Sequence, residues 1–487
     1  MNPIKHEGTR NGEPSVFQTG IDGFDAILGG GFPAGSLYLI QGLAGSGKTT
    51  LACQMGFLHA AQGKKVLVLT LIAESHAKML SHFRNFSFYD EKFIGEQMVF
   101  FSGYQRLAKG GLRDLLAMIA ESLAEQKPAM LIVDGFRSVR NASPSDLDLA
   151  EFMHSLNALV SSMSCTTFLL SPVEGNVADS ENTLVDGVIE LSQHEHGMRL
   201  IREIKLFKIR GANHLLGKHV FEVKKQGVII YPRFEAVATH ANSAPAASGD
   251  MVSVGMPSWD KAIGGGVIRG SVTCLLGHPG VGKTLVGLQF IQQGLDVGEP
   301  CLIMGFHESP PRLVAKAAKV GIRLDSALAN GNLDIIWHLP LEVLMDSVAR
   351  DMFENIQRRG VKRLLIDGVE GMRNIVMHPE RAPSFLIALV NELRVRDVTT
   401  FVTEQLPFFK NQRSASDSDS ASAMYENIIQ LEQVNTASGM QREISVLKLR
   451  ENDYDPNKHI LSISSAGVTV SGRTEPPMLS PPGGERS

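Results

Sequence analysis

Two glycine-rich segments with the same spacing end in a lysine and a threonine, residue types that bind the phosphates of a nucleotide. Residues 42–49 read GLAGSGKT, and residues 277–284 read GHPGVGKT. In this pattern backbone N–H groups surround a triphosphate, the lysine binds β- and γ-phosphate oxygens, and the threonine hydroxyl binds magnesium. The pair predicts two nucleoside triphosphate sites in one chain.

Each segment assigns a set of nucleotide-binding residues. The sets are Gly42, Gly45, Ser46, Gly47, Lys48, Thr49 and Thr50 in the first, and Gly277, Gly280, Val281, Gly282, Lys283, Thr284 and Leu285 in the second. Further along each half, an apolar run ends in an aspartate, Asp134 or Asp367. In phosphate-loop enzymes such an aspartate holds magnesium directly or through water. We therefore expect two magnesium sites, Thr49 with Asp134 and Thr284 with Asp367.

These residues need a strand before each loop and a helix after it, so that the phosphates lie at a helix N-terminus. Apolar runs of strand type, residues 36–40 and 271–276, precede the loops, and helical patterns follow them. Further strands alternate with helices in both halves. This order predicts an α/β fold of two tandem domains, each a mainly parallel sheet flanked by helices.

The composition of the 487 residues describes an ordinary globular protein. Hydrophobic residues make up 43%, charged residues make up 20%, and the net charge of −4 argues against a general affinity for nucleic acid or an anionic membrane. The four cysteines lie apart, without metal-ligand spacing. No signal core and no run of about 20 apolar residues occurs, so we expect a cytoplasmic protein with no membrane segment.

Composition also suggests the domain boundaries. We predict a flexible N-terminus at 1–15, a first domain at 16–235, a linker at 236–250, a second domain at 251–472 and a disordered tail at 473–487. The linker is poor in large apolar residues, and the tail is rich in proline and glycine.

Several repeated features together resemble the KaiC family within the RecA-like ATPases, over about residues 16 to 472. They are the glycine-rich lead-ins at 20–36 and 255–271, the phosphate loops, a glutamate after the next strand, and a Lys-x-Arg tail in each half. The resemblance implies two RecA-like domains, ATP and Mg²⁺ as ligands, and self-association into a ring of six subunits with nucleotide at the subunit boundaries. It implies a regulatory protein partner that the sequence does not identify.

The resemblance assigns catalytic roles to Glu74 and Glu308, as carboxylates that polarise the attacking water or hydroxyl. The family usually has two adjacent glutamates here, whereas this chain reads Ile-Ala-Glu at 72–74 and His-Glu at 307–308. Losing the neighbour changes the local charge, so activity is expected to be slow or altered. The alternative is that both glutamates only begin a helix as favourable N-terminal charges.

Lys208 and Arg210, with Lys448 and Arg450, resemble the basic pair that reaches the γ-phosphate of the neighbouring subunit. Such cations stabilise charge on a transferring phosphoryl group. The alternative is a solvated basic strand edge, a common protection against aggregation.

Clock members of the family phosphorylate themselves on an adjacent Ser-Thr pair in the second domain. Here Ser422 stands at the serine and Ala423 at the threonine, in a segment with further serines at 414, 416, 418 and 420. Ser422 is the first candidate phosphosite, and the alternative is a plain polar surface loop.

We therefore expect a regulatory, signalling P-loop ATPase with serine/threonine autokinase activity in its second domain. One alternative is a RecA/RadA-like DNA-dependent ATPase, since the fold serves such motors as well. Another is a nucleotide-gated binding module with little turnover. The C-terminus does not resemble the tail with which clock proteins engage their activator, so a three-component oscillator is not expected.

Overall fold

A computed structural model describes residues 15–71, 76–173, 180–238, 249–339, 343–375, 377–406, 424–436, 439–450 and 452–473. The chain divides into two units, Met1–Val237 and Ala238–Ser487. Two residues of the predicted linker, Ala236 and Val237, lie in the last helix of the first unit, and the first strand of the second unit begins at Met251. No described helix is long and apolar enough to cross a membrane.

The first unit is built on a nine-stranded sheet in the order β11-β10-β9-β8-β3-β7-β6-β4-β5, with β1 and β2 as a separate pair. Its strands are β1 Val16–Phe17, β2 Phe32–Pro33, β3 Leu37–Gly42, β4 Val66–Thr70, β5 Met98–Ser102, β6 Met130–Asp134, β7 Thr166–Ser171, β8 Gly187–His196, β9 Arg199–Ile209, β10 Lys218–Lys224 and β11 Gly227–Tyr231. Its helices are α1 Asp22–Ile27, α2 Lys48–Ala61, α3 His76–Phe83, α4 Tyr104–Gln126, α5 Arg137–Ala142, α6 Asp146–Ser162, α7 Ser180–Leu184 and α8 Phe234–Val237.

The second unit repeats this plan in the order β16-β15-β17-β18-β14-β19-β20-β21-β22, with β12 and β13 as the separate pair. Its strands are β12 Met251–Val252, β13 Val267–Ile268, β14 Val272–Gly277, β15 Cys301–Gly305, β16 Leu333–Trp337, β17 Arg363–Asp367, β18 Thr399–Gln405, β19 Asn427–Thr436, β20 Gly439–Lys448, β21 His459–Ser464 and β22 Gly467–Arg473. Its helices are α9 Pro257–Ala262, α10 Lys283–Asp296, α11 Pro310–Lys319, α12 Asp325–Asn330, α13 Met345–Arg359, α14 Val369–Asn374 and α15 Ala382–Val395.

The middle residues of the central strands are mostly apolar because helices cover both faces of each sheet. In the first unit, consecutive residues belong to different cores: Val68 and Ile132 pack on one face, and Leu67 and Leu131 on the other. Side chains alternate between the two faces of a strand, so a strand that is buried on both faces does not alternate between polar and apolar residues. The predicted α/β fold with two RecA-like sheets is confirmed.

Strand direction decides where the functional residues lie. In the first unit, β3 is parallel to β7 and β8, and β6 is parallel to β4 and β7. The carboxyl ends of β3 and β6 therefore meet at one edge of the sheet, where ligands of such folds bind. After β8 the sheet continues with antiparallel strands, and β9 returns along β8 toward the opposite edge. The second unit has the same arrangement.

Candidate nucleotide and magnesium sites

Both phosphate loops connect the end of a strand to the start of a helix. β3 ends at Gly42 and α2 begins at Lys48, while β14 ends at Gly277 and α10 begins at Lys283. The residue just before each helix is a glycine in the left-handed region, with φ of 101° at position 47 and 111° at position 282. Side chains other than glycine rarely adopt this conformation. The other predicted loop residues lie between these ends or in the first helical turn.

The first glycine of each motif is required for a different reason, namely close packing. A Cβ at Gly42 would lie 2.3 Å from the carbonyl oxygen of Leu191, and one at Gly277 would lie 2.4 Å from that of Leu431. Both clashes involve the backbone of the adjacent strand, β8 or β19. Any side chain at these positions would therefore push the loop away from the sheet.

Each loop lysine folds back over its own loop. Lys48 Nζ donates to the carbonyls of Gly42 at 2.7 Å and Leu43 at 2.9 Å, and Lys283 Nζ donates to Gly277 at 2.7 Å and His278 at 3.0 Å. Burial lowers the pKa of both lysines, with nearby carboxylates opposing this effect. An anion between lysine and helix start would favour the charged form and complete the ammonium's contacts.

A threonine hydroxyl and an aspartate meet beside each loop. Thr49 Oγ1 donates to Asp134 Oδ2 at 2.9 Å, and Thr284 Oγ1 lies 3.0 and 3.2 Å from the two carboxylate oxygens of Asp367. Hydroxyl and carboxylate oxygens next to a triphosphate loop are the ligands that suit Mg²⁺. In each unit, the structure therefore places the two residues expected to hold magnesium next to each other, and their chemistry fits that ion.

The second site contains a polar cluster to which the sequence reasoning assigned no role. Thr403 donates to Asp367 Oδ1 at 2.9 Å, and Arg373 Nη1 pairs with Glu404 Oε1 at 2.7 Å. Glu370, in the first turn of α14, accepts the backbone N–H of Gln405. The strand order could have indicated this cluster, because β18 lies between β14 and β17. The last residues of β18 therefore lie close to both the phosphate loop and Asp367.

Strand register identifies the corresponding positions of the first site. Asp134 pairs with Leu170, as Asp367 pairs with Thr403. The next residue along β7 is Ser171, where β18 has Glu404. Three residues after the aspartate, the first unit has Arg137 and the second has Glu370. The two sites therefore share the loop, threonine and aspartate but differ around the aspartate.

Of the two predicted catalytic glutamates, only Glu308 lies among the described residues. It follows β15, and its Oε1 is 2.7 Å from Nζ of Lys316 on α11, with the two side chains 34% and 38% exposed. The adjacent His307 lies over the backbone after Asp367, since a Cβ at Gly368 would be 2.7 Å from its Nε2. Glu74 and Ser422 lie outside the described residues, and their roles stay predictions.

Three of the four predicted interface cations contact a carbonyl in the segment that precedes β8 or β19. Lys208 Nζ and Arg210 Nη2 donate to the carbonyl of Thr183 at 3.4 and 3.2 Å, and Lys448 Nζ donates to that of Tyr425 at 2.7 Å. Arg450 is exposed. Burial and the neighbouring arginine lower the pKa of each lysine. Each pair of cations concentrates positive charge, which the nearby carboxylates of Asp186 and Glu426 partly offset.

These cations lie at the edge of the sheet opposite their own phosphate loop. Arg210 N donates to the carbonyl of Asp186 at 2.8 Å, and the Asp186 carboxylate accepts from the N–H of Leu37 at 3.0 Å, where β3 begins. The loop starts at Gly42, about 16 Å away at about 3.3 Å per residue. In the second unit, Glu426 accepts from Val272 at 3.0 Å in the same way. An arginine or lysine side chain is too short to span this distance.

Comparison with known proteins agrees with this geometry. A family model for the KaiC ATPase matches residues 17–235 and again residues 252–475. Among curated proteins, the chain is 25% identical over 467 residues to the circadian clock oscillator protein KaiC of Parathermosynechococcus lividus, covering 93% of this chain and 85% of that protein. It is also 25% identical over 467 residues to the circadian clock protein KaiC3 of Synechocystis sp., covering 93% and 91%.

Proposed function

The chain belongs to the KaiC family of P-loop ATPases, and we propose that it binds ATP with Mg²⁺ at both phosphate loops and hydrolyses it as a regulatory ATPase. The observation that carries this proposal is the duplicated arrangement of loop lysine, threonine and aspartate. Lys48 and Lys283 would bind β- and γ-phosphate oxygens, while Asp134 and Asp367 would hold the metal ion. When bound, Mg²⁺ would neutralise charge that develops on the transferring phosphoryl group.

We further propose a ring in which each subunit completes its neighbour's sites. The support is the position of Arg210 and Arg450, which follow β9 and β20 at the sheet edge away from their own phosphate loop. A head-to-tail contact would place this edge against the loop edge of the next subunit. Contacts of that kind form a ring when the rotation from one subunit to the next closes, and a filament when it does not. Six subunits are expected from the family.

Mixing two variants that each lack one group of the second site, both in a Lys48→Ala background that silences the first site, tests the shared site. Lys283→Ala removes the loop lysine of the second unit, and Arg450→Ala removes its cation. If the cation acts on the neighbour, random mixed rings contain about a quarter of second-unit interfaces with both groups intact. Phosphate release by the mixture should then exceed the average of the two separate variants.

The control mixes Lys283→Ala with the double variant Lys283→Ala/Arg450→Ala, which cannot form an intact interface. Co-purification through a tag on one variant establishes that the rings are mixed. Mixed rings without any gain would contradict action across subunits. Full turnover by a monomer-only preparation would do the same.

We also propose that the second unit transfers the γ-phosphate to its own chain, with Ser422 as the first acceptor. Relatives named circadian clock proteins support a signalling role, and the acceptor segment precedes β19, which begins beside Lys448. If the cations face a neighbour's nucleotide, the described start of β19 faces it as well. Peptide mass spectrometry after incubation with Mg²⁺ and ATP should find phosphate at Ser422, and no phosphoserine between 414 and 422 would end this proposal.

A second candidate, a nucleotide-gated binding module with little turnover, is favoured by one contact. Oε1 of the Glu308 carboxylate pairs with Lys316, so one of the two oxygens that could orient a water molecule already has a partner in this arrangement. Tight retention of ATP without phosphate release would support this candidate. Steady phosphate release that depends on Glu308 would exclude it.

A further inference from the structure

The hydroxyl of Thr403 uses both of its hydrogen-bonding roles at one corner of the second site. It donates to Asp367 Oδ1 at 2.9 Å and accepts the backbone N–H of Gly368 at 2.8 Å. Thr403 is 3% exposed and Asp367 is 8% exposed, so water does not replace these bonds readily. Burying a hydroxyl is unfavourable unless it is hydrogen-bonded, and here donor and acceptor are both satisfied.

The backbone at this corner has little freedom to move. Gly368 adopts the left-handed region with φ of 92°, and the ring of His307 covers the side on which a Cβ would project. Through its two hydrogen bonds, Thr403 thus holds the Asp367 carboxylate and the N–H of Gly368 in fixed positions relative to each other. A carboxylate fixed in this way is oriented before any ligand arrives.

We propose that Thr403 is a positioning residue for the magnesium ion of the second site. In the structure, Asp367 Oδ1 accepts from Thr284 as well as from Thr403. When the Thr284 oxygen binds the metal, as the proposed ATP site requires, the ion decides where that hydroxyl lies. The hydrogen bond from Thr403 does not depend on the ion, so Thr403 orients the carboxylate before and after the metal binds. This role rests on the proposed function, because it presumes Mg²⁺ and ATP at this loop.

The first unit serves as an internal comparison. Leu170 occupies the register position of Thr403 and cannot donate a hydrogen bond. The first unit therefore has no hydroxyl at the position from which Thr403 donates to Asp367 in the second unit.

The test follows the Mg²⁺ dependence of nucleotide binding, which needs no turnover. The full chain is titrated with Mg²⁺ in the presence of a fluorescent, non-hydrolysable β,γ-imido analogue of ATP. The phase that Lys283→Ala abolishes belongs to the second site. Loss of a partner that orients a metal ligand typically lowers metal affinity about 10–100-fold, so Thr403→Val should raise the Mg²⁺ midpoint of that phase by this factor.

Three further variants separate positioning from general damage to the fold. Thr403→Ser keeps the hydroxyl and should restore the midpoint to within about threefold. Thr403→Ala should repeat the shift, and it replaces the valine variant if that protein does not fold. Thr400→Val is the matched control, because Thr400 is a buried threonine of β18 whose hydroxyl donates to the carbonyl of Val398 and which pairs with Leu364 rather than with Asp367.

An unshifted midpoint in both Thr403→Val and Thr403→Ala would overturn the role of Thr403 and leave the ATP site intact. An equal shift in Thr400→Val would overturn it as well, since the effect would then belong to the strand. If the unsubstituted chain shows no Mg²⁺-dependent phase that Lys283→Ala removes, the proposed ATP site itself is wrong.

Discussion

The two nucleotide sites are the same in the residues that would touch phosphate and differ in the residues behind them. In both, the loop lysine caps its own loop and a threonine meets an aspartate within 3.0 Å. Behind Asp134 lies the apolar Leu170, whereas behind Asp367 lies the hydroxyl of Thr403.

The charge pattern differs as well. The helix after Asp134 begins with Arg137, and the helix after Asp367 carries Glu370 in its first turn. In the first unit, the strand next to the one with Asp134 ends in Ser171. In the second unit, the corresponding strand carries Glu404, which pairs with Arg373. Duplicated domains can thus keep ligand binding while the surroundings of the metal ligand diverge. Changes at these positions offer ways to test whether the divergence matters.

The largest effect is expected from Glu308→Gln. If Glu308 polarises the attacking group, its loss should reduce phosphate release by the second site about 100–10,000-fold while ATP binding is kept. The assay uses a Lys48→Ala background, so that the second site dominates. Glu354→Gln is the control, since that glutamate is 67% exposed on α13. Equal rates of phosphate release in both variants would mean that Glu308 has no catalytic role and only forms an ion pair with Lys316.

Replacing a loop lysine should affect one site and spare the other. Lys48→Ala and Lys283→Ala should each weaken ATP at their own loop roughly 100-fold, because a charged hydrogen-bond donor to phosphate is lost. Calorimetric titration with the non-hydrolysable analogue should then show one tight site per chain instead of two. Lys64→Ala and Lys319→Ala are controls that replace exposed lysines, and both tight sites should remain in them. Two tight sites in a loop variant would contradict the assignment.

Arg373→Ala should destabilise the second unit alone. Glu404, 11% exposed, would lose its cation, and the pair is partly solvated because Arg373 is 33% exposed. We expect the free energy of unfolding to fall by about 1–3 kcal/mol. Chemical denaturation should show this change in one of two transitions. Arg350→Ala, in an exposed pair with Asp351, should cost about 1 kcal/mol or less. Similar losses would mean that Glu404 is adequately solvated without Arg373.

The smallest effect is expected from Leu170→Thr, which places a hydroxyl at the position of Thr403 in the first unit. If that hydroxyl reaches Asp134, the Mg²⁺ midpoint of the first site should fall a few-fold. The change should be smaller than the one expected for Thr403→Val, because the core around residue 170 packs a leucine and does not hold the threonine in position. Leu170→Val is the control without a donor. A midpoint that falls equally in both variants would contradict a role for the hydroxyl.

The sequence predicted the sheets because glycine spacing, apolar runs and the repeat all pointed to the same α/β unit. The structure places Thr49 next to Asp134, and their binding of magnesium stays a prediction. It assigned no role to Thr403 and Glu404. A threonine or glutamate at the end of a strand has no distinctive pattern, and its partners are far away in the chain. The ion pair of Glu308 with Lys316 was likewise not foreseen, since it depends on how α11 turns away from β15.

The most direct test of the account is to incubate the protein with Mg²⁺ and ATP labelled in the γ-phosphate and to divide the label between free phosphate and protein. If both sites bind ATP but only the second transfers phosphate to the chain, the protein becomes labelled, Lys283→Ala abolishes the label, and Lys48→Ala retains it. Label that persists in Lys283→Ala, or protein that remains unlabelled while phosphate is released, would contradict the division of roles between the two sites.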